Sequence, residues 1–253
     1  MRMRPAWSYA QARLQARHGE RLQESDWRAL EAARSLDQYL ERSRATSLRR
    51  FTERLNAGMS SHTMERVLRA AWRDYVAEVA GWGAPDWHAA ILWTAPLPDL
   101  PAIDVLLRGE APGWASQDAA LAHFLTAEHV TREKSALTPL LPLPKREKTL
   151  PARWFAHWRS LLPQGAPELP ILTRLAATIE AHSGRLSRAG PQESSAPYRR
   201  ELMQAATRMF RRHAGSPVAA FCHLLLVALD LERLRGGLVR RQLFEALPGK
   251  EAA

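Results

Sequence analysis

The side chains able to ligate a metal or carry nucleophilic chemistry are few in this chain, and their spacing builds no known constellation. His123 and His129 stand six residues apart. On a helix that spacing puts them on different faces, unlike the i, i+4 histidines of a zinc-binding helix. His157, His182, His213 and His223 are isolated from one another. Cys222 and His223 are neighbours, so on a helix their side chains diverge by about 100° and form no thiolate–imidazole pair. Cys222 is also the only cysteine, which excludes an intrachain disulfide and any cysteine-based zinc or iron–sulfur site. No G-x-S-x-G elbow or glycine-rich phosphate loop occurs. Gly236-Gly237 lies inside an arginine-rich helical stretch and reads as a hinge or a point of close packing. The sequence thus assigns no catalytic residue, no metal and no cofactor, and the expectation is a protein that is not an enzyme.

Arginine is the remaining chemistry. The 253-residue chain carries 36 lysines and arginines against 26 acidic residues, for a formal net charge of +10. Lys134, Lys145, Lys148 and Lys250 are its only lysines. An arginine excess favours an anionic partner: nucleic acid, lipid headgroups or an acidic protein. A GC-rich coding sequence that uses arginine where lysine would serve gives the same composition. Two groups of arginines stand out, Arg199, Arg200, Arg208, Arg211 and Arg212, then Arg233, Arg235, Arg240 and Arg241. On nucleic acid they would give affinity that falls steeply with salt. As solvated helix faces they would pair with neighbours such as Glu201 and Glu232.

These groups need helices to position them. With 46% hydrophobic and 25% charged residues, the chain has an ordinary globular composition. Its periodicity is helical almost throughout, and no stretch alternates as a strand would. Ala10, Leu14 and Leu22 mark a first helix. Ser25-Asp26 caps a second, predicted to run through Trp27, Leu30, Asp37 and Leu40. A short third follows over 47–55. A fourth begins at Ser60–Thr63, with Ser61 and Glu65 as a loose capping pair, and ends at Gly81. Trp82, Trp87, Trp93 and Trp114 are then interleaved with five prolines. This middle reads either as irregular backbone anchored by large side chains or as a docking surface. Further helices are expected over 117–136, from Trp154, over 171–182 closed by Ser183-Gly184, and over 198–213. Residues 138–151 (TPLLPLPKREKTLP) form a proline-rich linker between an N-terminal helical region, 1–137, and a C-terminal one, 152–253, which packs back on it.

The last helix starts at Pro217, where a proline's missing N–H costs nothing. Val218–Leu231 is apolar almost all round, so it must be surrounded. It is also the longest apolar run, too short to span a bilayer and interrupted by His223 and Asp230. The charged N-terminus has no signal-like apolar core. A soluble, cytoplasmic protein without a transmembrane segment is expected.

Two segments carry a resemblance. In 8–40, Tyr9, Ala10, Ala12, Arg13, Ala16, Arg21, Leu22 and Asp26 match a tyrosine–alanine start, an arginine-containing helix and a short acidic turn. In 221–244, Glu232, Leu234 and Arg235 end an apolar run. This pattern resembles the C/d family of stalk-base proteins in vacuolar- and archaeal-type rotary ATPases. The resemblance implies an all-helical, non-catalytic funnel seated on a membrane rotor ring, receiving the central stalk and transmitting torque. It also implies peripheral association with the inner face of the membrane. The expectation is therefore an all-α multi-helix bundle with a Trp/Pro-rich irregular middle, acting as a non-enzymatic assembly protein. Its protein partners, rotor or stalk components, would meet Arg13, Arg17, Arg21, Arg233, Arg235, Arg240 and Arg241. The alternatives are a basic nucleic-acid-associated regulator using Arg199–Arg212, and an accessory or maturation factor docking through the tryptophan-rich middle.

Overall fold

Trp7, Ala10 and Leu14 line one face of the first helix, α1 (Pro5–Gly19), and all three are buried. The computed structural model describes residues 5–110, 112–121, 137–140, 149–188 and 196–245. Among these the chain is helical and contains no strand, so the architecture is all-α. His123 and His129, most of the helix expected over 117–136 and the middle of the proline-rich linker (141–148) lie outside the described residues.

The second predicted helix is two. α2 (Glu24–Glu31) begins earlier than Ser25-Asp26 suggested, with Asp26 accepting the Gln23 backbone N–H at 2.7 Å. It stops before α3 (Leu36–Arg44), because Ser35 turns the chain and its hydroxyl accepts the Gln38 N–H. The periodicity runs on across the break because α2 and α3 bury the same kinds of residue: Trp27 and Leu30, then Leu36, Tyr39 and Leu40. α4 (Arg49–Thr52) is a single turn. α5 (Ser61–Trp82) is capped by Ser60, not Ser61, through the Thr63 N–H.

The Trp/Pro middle is a chain of short pieces: a 3-10 turn at Pro85–Trp87, α6 (His88–Leu92), a second turn at Leu97–Asp99 and α7 (Leu100–Leu107). By length and composition Pro85–Leu107 would suffice to cross a membrane, with mean hydropathy 1.3, and half of it is buried within the fold. Proline breaks it into short helices, and much of its apolar surface is met by packing. Eight of the nine tryptophans are buried, and Trp114 is half-buried against His62. Trp93 and Trp154 exchange indole N–H bonds to each other's backbone carbonyls at 3.1 and 3.0 Å, fastening the middle to α8 (Leu150–Ser160). A buried ion cluster fastens it to α5: Arg69 and Arg73 reach both Asp99 and Asp118.

α9 (Leu169–Arg188) runs through Ser183-Gly184, correcting the expected stop. A glycine inside a helix costs about 1 kcal/mol. The extension is held on α10 (Ala196–Arg212) by Arg185, which pairs with Glu201 at 2.9 Å and lies over the Tyr198 ring. α11 (Pro217–Glu245) is the axis: it packs most extensively on α10 and also on α1, α3 and α5. One hydrophobic cluster draws on both ends of the chain, from Trp7 to Leu238.

Candidate functional site

The seven arginines singled out from the sequence lie on or beside α1 and on α11, and packing brings these two helices together. Arg21, just past α1, donates from Nε and Nη2 to the two Asp230 carboxylate oxygens at 2.7 and 2.9 Å. The pair is enclosed, with side chains 11% and 8% exposed. Burial pushes the Asp230 carboxyl up, and the Arg21 bonds pull it back. One helical turn on, Arg233 forks onto Glu31 at 2.7 and 3.0 Å and onto Glu24 at 2.8 and 3.2 Å, with its guanidinium over the Trp27 ring. Those bonds raise the Arg233 pKa and lower that of Glu24.

Arg241 is a cap of a kind the sequence does not announce. It is buried, sits over the Tyr39 ring at 3.9 Å, and donates to the backbone carbonyls of Glu31, Ala33 and Gly237. The first two carbonyls lie at the end of α2 and just past it, where no intrahelical donor remains. Arg17 pairs with Glu20 and Glu78, and Arg235 pairs with Glu65. Arg13 is exposed, hydrogen-bonds the Tyr9 hydroxyl through Nε and lies over Trp82. Arg240 is exposed and forms no ion pair among the described residues. Arg21, Arg233 and Arg241 therefore face inward and join the ends of the chain, whereas Arg13, Arg235 and Arg240 face solvent.

The second arginine group divides likewise. Arg199 pairs with Glu232 on α11. Arg200, Arg208, Arg211 and Arg212 stand exposed along α10 and form no ion pair among the described residues. They make a row of uncompensated cations along one helix.

Sequence spacing missed a polar contact in the core. His223 and Tyr75 share a 2.6 Å hydrogen bond between Nε2 and the hydroxyl, with His223 wholly buried. Burial, reinforced by the nearby positive charges of Arg21, His18, Arg50 and Arg17, pushes the imidazole down to about 3, and burial pushes the Tyr75 phenol up to about 12. Both are neutral near pH 7. The adjoining space, bounded by Arg21, Arg50, Tyr75 and Asp230, is about 30 Å³, room for about one water. The arrangement can hold two helices in register. Periodicity could place His223 and Tyr75 on apolar faces, but only packing could make them partners. Burial also raises the Cys222 thiol to about 12. Among the described residues no group of three or more His, Cys, Asp and Glu side chains is arranged to hold a metal ion.

No family model matches the chain, and no curated protein or solved structure matches it.

Proposed function

We propose that this protein is a non-enzymatic assembly protein, a stiff helical body that docks onto a larger complex through its arginine-bearing exterior. The reading rests on the Arg21–Asp230 fork, which ties the two segments that resemble the rotary-ATPase C/d family into one unit. Enclosed, hydrogen-bonded charges of this kind hold one relative placement of two helices, which suits a part that must pass on force or position. The solvent-facing cations then do the docking: Arg13, Arg235 and Arg240 near the joined ends, and the row Arg200, Arg208, Arg211 and Arg212 on α10. In a C/d-like role the partners are the rotor and stalk of an ATPase, met at the membrane surface.

The α10 row also favours a second reading, a regulator bound to nucleic acid, because unpaired arginines along one helix suit a phosphate backbone. Affinity purification of the tagged protein from its own host, with bound proteins identified by mass spectrometry, separates the two. Rotary-ATPase components, lost when Arg13, Arg235 and Arg240 are changed to glutamate, support the first. Nucleic acid, released steeply by salt and lost with R208E/R211E/R212E, supports the second. A single bound enzyme would instead favour the accessory-factor reading.

A further inference from the structure

The apolar stretch of α11 is not covered on every side. Leu225, Ala228 and Leu231, three residues apart along one stripe, are only half-buried, while Leu224, Leu226, Val227 and Leu229 are buried. Two adjoining cavities run along this stripe. The inner one, about 100 Å³, is walled chiefly by Trp154, Phe155, Trp158, Leu175, Ile179 and Leu225. The outer one, about 230 Å³, lies between Leu68, Pro98, Pro101 and Leu231, with Glu65 and Arg235 at its rim. Trp72, Leu97 and Ala228 border both.

Shape and charge narrow the occupant. From Phe221 at the inner cavity to Arg235 at the rim is fourteen residues of helix, or about 21 Å. Together the cavities reach only the lower end of the range for small-molecule pockets, about 300–1,000 Å³. A space that long and that narrow fits one unbranched chain. A helix about 10 Å across could only rest on its rim.

The charges at the rim are already compensated: Arg235 by Glu65, Glu232 by Arg199, and Arg69 by Asp99 and Asp118. Among the described residues lining the two cavities, no free cation waits for an anionic head. Trp158 is 4% exposed, and its indole N–H has no acceptor among the described residues, whereas Trp72 and Trp154 in the same walls donate to backbone carbonyls. That N–H is sealed from the cavity as well as from solvent, so the inner walls offer a ligand apolar contact only, and a charged head there would lose its hydration without a partner.

We propose that this channel binds an uncharged, unbranched amphiphile: a single hydrocarbon chain with a small uncharged head, such as a long-chain alcohol, aldehyde or ester. The chain fills the inner cavity and lies along Leu225, Ala228 and Leu231, and the uncharged head stays at the rim of the outer cavity. Of the docking cations Arg235 stands at the rim of this site, where Glu65 already pairs with it, so an uncharged ligand can bind whichever partner those cations meet.

The test uses the full chain and 11-bromo-1-undecanol, whose bromine quenches tryptophan fluorescence at short range. Saturable quenching with 1:1 stoichiometry is expected, displaced by 1-undecanol and at least tenfold less well by undecanoate. In a series of 1-alkanols affinity should rise about fourfold per methylene until the channel is full, then level off. Ala228→Phe, which fills the junction of the cavities, should abolish quenching. Unsaturable quenching, equal or tighter binding of undecanoate, or unchanged binding in Ala228→Phe would each overturn the proposal. Should Ala228→Phe fail to fold, Ala228→Met serves in its place, and the competition by alcohol and acid decides independently.

Discussion

Arg21 and Asp230 are 209 residues apart in the chain and joined by two hydrogen bonds of 2.7 and 2.9 Å. That fork, with Arg233 on Glu24 and Glu31 beside it and Arg241 beyond, makes the first and last helical segments one mechanical element. Three of the seven arginines that read as an exterior in the sequence work here on the inside.

Breaking the fork from one side leaves an uncompensated charge in an enclosed site. Arg21→Met or Asp230→Leu should each lower unfolding stability by about 3–5 kcal/mol. The double variant R21M/D230L should recover much of that loss, because no buried charge is then orphaned. Urea unfolding of the three variants measures this. A loss in the double equal to the sum of the two singles would show that the residues act separately.

Gly236 and Gly237 are adjacent and should respond oppositely to alanine. A Cβ at Gly237 would stand 2.5 Å from Cζ of the Tyr39 ring, whereas one at Gly236 meets nothing within 4 Å. Gly237→Ala should cost about 1–3 kcal/mol through overpacking. Gly236→Ala should stabilise by about 0.5–1 kcal/mol, since alanine is the better helix former. Thermal melts of the two variants check the sign of each.

Acid should unfold the protein in part through His223. Its folded-state pKa, about 3, lies below the 6.5 of the unfolded chain. The stability it contributes is therefore fully present above pH 6.5 and is lost as pH falls toward 3. His223→Gln keeps a hydrogen-bonding partner for Tyr75 but does not titrate. It should reduce the slope of stability between pH 6 and 4 by about one proton, roughly 1.4 kcal/mol per pH unit. His18, His157, His182 and His213 are also lowered by burial and leave a residual slope in the variant.

Alkali acts through Tyr39 and Tyr75. Burial raises both phenols from 10 to about 12. The stability they contribute is complete below pH 10 and is lost as pH rises through 12. Ultraviolet titration at 295 nm should show two phenols ionising late, together with unfolding.

Cys222 is buried, and its thiol is raised to about 12. The native protein should not react with 5,5′-dithiobis(2-nitrobenzoate) at pH 8, because the thiolate is the nucleophile. Rapid stoichiometric labelling without denaturant would mean that α11 opens readily.

Helical periodicity, Pro217 at a helix start and the apolar character of α11 were legible because each depends on residues within a few turns, whereas the expectation that α11 is surrounded on all sides fails at Leu225, Ala228 and Leu231. The division of α2 from α3 was hidden. It turns on the Ser35 cap and on Arg241, which serves the α2 carbonyls from 208 residues away at Ala33. The extension of α9 past Gly184 likewise depends on contacts with Glu201 and Tyr198 that lie on another helix.

The amino-acid order alone determined that the body is all-α and that nearly every cation is an arginine, because propensity and periodicity act over short spans of chain. Which arginines turn inward was decided only when α1 and α11 met. An arginine is drawn into the fold by a carboxylate or a set of free carbonyls brought within hydrogen-bond reach, and Asp230, Glu31 and Ala33 come that close only through packing. The same packing left Leu225, Ala228 and Leu231 beside an open channel, on a helix whose sequence is apolar on every side.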